Sequence, residues 1–231
     1  FNNLLQIIGG FAEVCITCDN HRDLEKMINA IQECTRRGTK IVKGLMNFSR
    51  DDELQKKEIV SMQDLLEQNL VLMRKGLTNH EVELETSFEA APSLECYPGQ
   101  LSQVFVNIIQ NAVEAMADAK TRKLLVSMKM CGCESAICSA DRLKKHERGK
   151  GCVIIAFKDT GYGVSENIRD RIFEPFFTTK GVVSGGNDST PGTGLGLSIS
   201  YGIIKRHDGF IDCESKNDDG AAFVLALPVR P

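Results

Sequence analysis

Apolar residues recur near a 3.6-residue period from Phe1 to about Val14, through Leu4, Leu5, Ile7, Ile8 and Phe11, which predicts an amphipathic helix. The run Cys18-Asp19-Asn20-His21-Arg22 interrupts it. A second helical stripe follows, through Leu24, Met27, Ile28, Ile31, Cys34, Ile41, Val42, Leu45, Met46 and Phe48. Two such helices joined by a polar turn make a hairpin, yet each stripe is too wide for the other to cover. A homodimer, with two hairpins forming a four-helix bundle, is therefore expected.

Beyond Phe48 the pattern changes. A charged stretch from Asp51 to Glu58 reads as a linker, and Ser61-Met62-Gln63-Asp64 reads as an N-cap opening a helix to about Lys75. Leu65, Leu66, Leu70, Leu72 and Met73 would form its apolar side, with Gly76 ending it. Val82, Leu84, Thr86 and Phe88 alternate with polar residues, a half-buried strand. Pro98-Gly99 then precedes a helix running through Met116. Strands are expected at Leu124 to Met130 and Val153 to Phe157, separated by a polar, lysine-rich and cysteine-bearing insertion that should be exposed. A short helix at Asn167 to Phe173 leads to a loop rich in Gly, Ser, Asn and Asp at 181–192. A further helix through Leu197, Ile199, Ile203 and Ile204 ends at His207-Asp208-Gly209, and the strands 210–215 and 222–227 close a terminal hairpin. Three helices and about five strands, segregated along the chain, predict an α+β fold: a helical hairpin followed by a two-layer α/β sandwich.

Composition narrows the classes. A chain of 231 residues with 42% hydrophobic and 26% charged content supports a sizeable core. A formal charge of −3 gives no basic footprint for nucleic acid, and no apolar run is long enough for a membrane span. The first residue is Phe1 rather than Met, so a fragment of a longer protein is expected. The nine cysteines are odd in number and widely spaced, which argues against a disulfide framework. Most read as small buried hydrophobes. Two other readings stay open: redox or metal chemistry at Cys15-Ile-Thr-Cys18, and a zinc site from Cys131, Cys133, Cys138, His146 and Cys152, whose spacing matches no standard knuckle. The four histidines, His21 in the turn, His80 and His146 in polar loops and His207 at a helix end, read as surface residues.

Candidate chemistry is concentrated in four stretches. In Pro191-Gly192-Thr193-Gly194-Leu195-Gly196-Leu197, three alternate glycines run into a helix, where bare backbone N–H groups and a helix N-terminus suit a polyphosphate. Gln103, Asn107, Asn111 and Glu114 share one face of a helix otherwise bordered by Val104, Ile108, Ala112 and Ala115. Such polar groups need partners, and an amide oxygen is a hard ligand suited to magnesium that also holds phosphate. Asp159-Thr160-Gly161-Tyr162-Gly163 puts a carboxylate at the end of a buried strand, able to accept a hydrogen bond from the exocyclic amine of a base. Phe173-Glu174-Pro175-Phe176-Phe177-Thr178-Thr179-Lys180 is an aromatic knot at the edge of the polar loop.

In order, spacing and residue type these stretches resemble the N, G1, F and G2 boxes of the ATP-binding domain of sensor histidine kinases, within the wider GHKL (Bergerat-type) family that includes Hsp90-type and MutL-type ATPases. The hairpin resembles their dimerisation and phosphotransfer domain: Phe1-Asn2-Asn3-Leu4-Leu5 matches the end of His-Asp-Phe-Asn-Asn-Leu-Leu, and Asn47-Phe48-Ser49-Arg50 its usual exit. The resemblance implies a hairpin domain at 1–52 and a catalytic domain at 58–231. It implies ATP and Mg2+ as cofactors, a response regulator receiver domain and a second copy of the chain as partners, and a cytoplasmic location for this part of a longer sensor. The phosphoacceptor histidine and the acidic residue after it would precede Phe1. Asp159 would read adenine with Gly161 and Gly163 leaving room for the base, Asn111 would ligate Mg2+, and Asn107 would support the phosphates or a nearby water. Nucleotide contact carries over to Thr178, Thr179, Lys180, Gly192, Thr193, Gly194, Leu195, Gly196 and Leu197, while Phe173, Phe176 and Phe177 would pack as anchors for the loop. Asn3 would position a water for hydrolysing the regulator's aspartyl phosphate, or simply face solvent near the helix start. One departure concerns the position three after Asn111: many members carry a basic residue there and this chain has Glu114. The rival to a kinase is a dimeric scaffold that binds ATP without turnover; a water-directed clamp ATPase normally has a glutamate where Asn107 stands.

Overall fold

The computed structural model describes residues 2–17, 20–49, 56–131, 151–179, 193–215 and 219–229. They fall into two compact units, residues 1–51 with 176–195 and residues 52–175 with 196–231.

In the first unit, helices α1 (Asn2–Thr17) and α2 (His21–Ser49) pack as a hairpin, with Cys15 Sγ 3.8 Å from Met27 Sδ. Asn20 starts the second helix. Its Oδ1 accepts from the Arg22 N–H at 3.1 Å and its carbonyl from Leu24 at 3.0 Å, which satisfies donors that a helix start leaves unpaired. His21 and Arg22 therefore belong to the first turn of α2 and not to the connection expected from the polar run. Much of the apolar surface of α1 is uncovered, with Leu5, Ile7 and Val14 about half exposed and Ile16 84% exposed. Within the same unit the Phe176 N–H donates to the Gly194 carbonyl at 3.0 Å.

The second unit is the α/β sandwich. Strands β1 (Glu58–Val60) and β3 (Leu94–Cys96) form a small antiparallel pair that the hydrophobic pattern was too short to reveal. The main sheet holds β2 (Glu83–Phe88), β4 (Lys123–Cys131), β5 (Cys152–Asp159), β6 (Phe210–Ser215) and β7 (Ala221–Pro228) in the order β2-β4-β5-β7-β6. Only β2 and β4 run parallel; the other neighbours are antiparallel. Helices α3 (Met62–Asn79), α4 (Pro98–Ala115) and α5 (Gly196–Arg206) supply the second layer. Leu66, Leu101, Phe105, Ile108, Ile109 and Ile204 from the helices and Leu124, Met128, Ile155 and Phe157 from the sheet are fully buried. Phe105 and Phe157 meet with ring centroids 5.8 Å apart, so the β5 residues of Phe157's parity, Asp159 included, face the helices.

Four details differ from the sequence expectation. Helix α3 does not stop at Gly76 but runs to Asn79, because Leu77 is buried in the core at 2% exposure and the Gly76 carbonyl accepts the closing bond from the His80 N–H at 3.2 Å. His80 is accordingly the C-cap of that helix. Leu72, 77% exposed, lies on its solvent side. The short helix before the aromatic knot is a 3-10 turn, Glu166–Arg171. His207 is buried: its Nδ1–H donates to the Ile203 carbonyl at 2.8 Å while Nε2 accepts from the Tyr97 N–H at 3.0 Å, a neutral tautomer joining the end of α5 to the residue that begins α4. His146 and the insertion at 132–150 lie outside the described residues. No helix among the described residues is long and apolar enough to cross a membrane.

Candidate functional site

The site is assembled around α4. Asn107, Asn111 and Ala115 lie four residues apart on one row of this helix, about 6 Å per step along its axis. Asn107 is tied to the start of α5, its Nδ2 donating to the Gly196 carbonyl at 3.2 Å and to Ser200 Oγ at 3.3 Å. Ser200, fully buried, in turn donates to the Gly196 carbonyl at 2.9 Å. At the other end of the row, the turn after β5 reaches Ala115, whose carbonyl accepts from the Tyr162 N–H at 3.3 Å. Asn111, half-buried, thus stands one helical turn from the N-terminus of α5 and one from the turn after Asp159.

Asp159 ends β5 and is 2% exposed. Its Oδ1 accepts from the Gly161 N–H at 2.8 Å and the Ala221 N–H at 3.3 Å. Burial pushes the carboxyl above its ordinary value of 3.8, and these two donors, together with the residue's own amide, oppose that rise without cancelling it. The Gly161 and Ala221 donors use the same oxygen, Oδ1. Thr160 locks the turn from behind, accepting from the Lys123 N–H at 3.0 Å and donating to the Thr121 carbonyl at 2.7 Å.

The glycines of this turn are demanded first by the fold. A Cβ on Gly161 would lie 2.6 Å from the Ala115 carbonyl oxygen, and Gly163 has a φ of 74°, so one answers a close approach to α4 and the other a left-handed backbone. Tyr162 between them stays 54% exposed, and burial of its hydroxyl end, with Glu114 and Asp159 nearby, raises its pKa.

Of the other residues singled out, Gly196 and Leu197 open α5, and Gly196 leaves ordinary contact space beside the Asn107 side chain. Thr178, Thr179, Thr193, Gly194 and Leu195 are described within the other unit, where Leu195 is buried. Phe173 packs on Tyr201 with centroids 5.7 Å apart, and Phe176 is 58% exposed with a φ of 67°. Asn3 falls in the first turn of α1. Lys180 and Gly192 lie outside the described residues, as do Cys18, Cys133 and Cys138. No group of three or more His, Cys, Asp or Glu residues that could hold a metal occurs among the described residues. Cys34, Cys96, Cys131, Cys152 and Cys213 are buried thiols and Cys15 is half-buried.

Sequence reasoning gave no role to Ser200, Thr160 or the Ala221 amide. Ser200 carried a faint signal, a hydroxyl four residues after Gly196, placed to bond back to that residue's carbonyl. The Ala221 amide carried none, because a backbone donor contributed by a strand 62 residues away has no side-chain signature.

The model of the histidine kinase-, DNA gyrase B- and HSP90-like ATPases matches residues 96–231, more than half of the chain. The chain belongs to that ATPase family. Among its relatives, the sensor kinase CckA of Brucella abortus (strain 2308) is 33% identical over 239 residues, covering 99% of this chain and 23% of CckA. Sporulation kinase E of Bacillus subtilis (strain 168) is 35% identical over 162 residues, covering 70% of this chain and 18% of that kinase. The chain therefore spans about a quarter or less of these two relatives. Two solved structures share the fold of this ATPase: histidine kinase ThkA in complex with response regulator protein TrrA, with TM-score 0.69, 24% identity and coverage of 100% of this chain and 59% of that one; and full-length ShkA in complex with AMPPNP, with TM-score 0.65, 22% identity and coverage of 98% and 43%.

Proposed function

We propose that this chain is the kinase core of a sensor histidine kinase, binding ATP with Mg2+ and transferring the γ-phosphoryl group to a histidine just upstream of Phe1, from which it passes to the aspartate of a response regulator receiver domain. The observation that carries the reading is Asp159, a carboxylate held above its ordinary pKa at the end of a core strand with one oxygen committed to backbone donors. The backbone donors offset only part of the cost of burying this group, and a ligand's donor is the further partner that offsets more. The exocyclic amine of adenine is that partner, received by Oδ2, and the bare backbone at Gly161 and Gly163 admits the purine ring.

The remaining roles follow from the elements around α4. Gly196 opens α5, and the partial positive charge of a helix N-terminus suits the phosphates. Asn107 acts as a positioning residue: by gripping Gly196 and Ser200 it sets where that N-terminus stands relative to α4. Asn111 offers its amide oxygen to Mg2+, and the metal depends on phosphate oxygens for the rest of its coordination. When bound, the ion neutralises phosphate charge; the protein's contribution is orientation and the exclusion of water. The uncovered apolar residues of α1 favour a homodimer through the hairpin, with Asn3 in its first turn serving phosphatase activity toward the regulator. ThkA in complex with its response regulator and ShkA in complex with AMPPNP, which share the fold, are in keeping with this partner and this nucleotide.

Calorimetric titration of the chain with ATP in magnesium buffer should give saturable heat, weakened at least tenfold by Asn111→Ala. Radiolabelled ATP should then label a longer form of the protein that includes the upstream histidine. Binding without labelling would leave an ATP-binding dimeric scaffold, and no binding at all would end the nucleotide reading.

A further inference from the structure

Strands β4 and β5 flank the insertion, and their register places Cys131, the last residue of β4, directly opposite Cys152, the first of β5. Both belong to the sheet face turned away from the helices, since Cys152 and Ile154 have the opposite parity to Phe157. There they pack with Ile154, Ala226, Phe210 and Val224 in an apolar cluster, at 9% and 3% exposure. Opposite residues in an antiparallel ladder have Cα atoms about 4.5–5.5 Å apart. A disulfide accepts roughly 4.4–6.8 Å, so this pair meets the distance requirement without moving the backbone.

No other cysteine among the described residues stands opposite a second one: Cys96 faces Glu58 and Cys213 faces Phe223. Those two thiols are also chemically quiet, burial raising Cys96 to about 11 and Cys213 to about 12. Cys131 and Cys152 differ in position as well as pairing. They form the terminal register pair of the ladder, the kind of pair that opens first in local fluctuations and gives a reagent access.

We propose that Cys131 and Cys152 constitute a reversible thiol–disulfide site that closes residues 132–151 into a covalent loop. The oxidant is a small-molecule disulfide of the glutathione class. One cysteine thiolate attacks it, forming a mixed disulfide and releasing one small thiolate; the second cysteine, on losing its proton to solvent, attacks the protein sulfur and expels the other. Two protein thiols are oxidised and one small disulfide is reduced to two thiols. The product tethers the insertion at its base and pins the β4–β5 ladder end. This inference is independent of nucleotide binding.

The test uses the unmutated chain, equilibrated at graded ratios of oxidised to reduced glutathione, quenched by alkylation and mapped by mass spectrometry. The expected result is a Cys131–Cys152 linked peptide that disappears with dithiothreitol, together with a melting temperature higher by about 5–10 °C in the oxidised form. Cys131→Ser and Cys152→Ser should each abolish both signals. Alkylation of both thiols at the most oxidising ratio would overturn the proposal, as would a linkage of Cys152 to Cys133 or Cys138 in place of Cys131.

Discussion

Asp159 shows how one buried residue can act against the stability of its own fold. Its pKa is raised in the folded state, so between the ordinary value of 3.8 and the folded value the native chain holds a proton that the unfolded chain has released. Stability therefore falls as pH rises through that window, and the full cost is present above it. Asp159→Asn keeps an oxygen for the Gly161 and Ala221 amides but presents an amide in place of the second acceptor. The variant is expected to lose roughly ten- to hundredfold in ATP affinity by calorimetry. Its melting temperature should equal or exceed that of the parent at neutral pH, with a flatter acid dependence. A variant that binds ATP normally would remove Asp159 from the site. Gly161→Ala tests the neighbouring constraint. The methyl would press on the Ala115 backbone, so a loss of about 1–3 kcal/mol is expected in urea unfolding, with or without nucleotide. The glycine was legible in the sequence as part of a motif; its collision partner, 46 positions earlier in the chain, was not.

At the scale of elements, the caps and the joints between helices matter most. Ser61 Oγ accepts from the Asp64 N–H at 3.2 Å, the cap that the pattern of residues 61–64 predicts. Ser61→Ala should cost about 1 kcal/mol in chemical denaturation, and no change would mean that α3 is held by packing alone. Gly76 signals an end to the same helix, because glycine usually follows a helix, whereas Leu77 here is drawn into the core and extends it. The joint between α5 and α4 rests on His207, whose Nε2 receives the Tyr97 N–H. His207→Leu deprives that amide of its acceptor and should destabilise the chain by about 1–3 kcal/mol. Equal urea midpoints for the variant and the parent would show that the bond contributes nothing net. No periodicity marked this histidine as buried, since its partner arrives from a segment 110 residues away.

For the whole molecule, the feature with the largest physical consequence is the exposed apolar surface of α1. Leu5, Ile7, Val14 and Ile16 expose apolar surface along a helix whose hairpin partner does not cover them. Sedimentation equilibrium is expected to give a dimer, and Val14→Glu with Ile16→Glu should shift it to monomer while leaving ATP affinity unchanged. A parent chain that sediments as a monomer at micromolar concentration would contradict the bundle.

Elements and chemistry were written locally. The 3.6-residue and two-residue periods fixed which faces of each segment are apolar, and four short motifs supplied a carboxylate, two amides and a glycine-rich helix start in recognisable order. Tertiary structure decided everything that depends on a distant partner: the parallel placement of β2 beside β4, the grip of Asn107 on Gly196 and Ser200, the shared use of Oδ1 on Asp159, and the burial of His207. The reason is that a residue's own pattern records how much water its side chain tolerates, whereas the identity of its neighbour is set by the path of the chain between them.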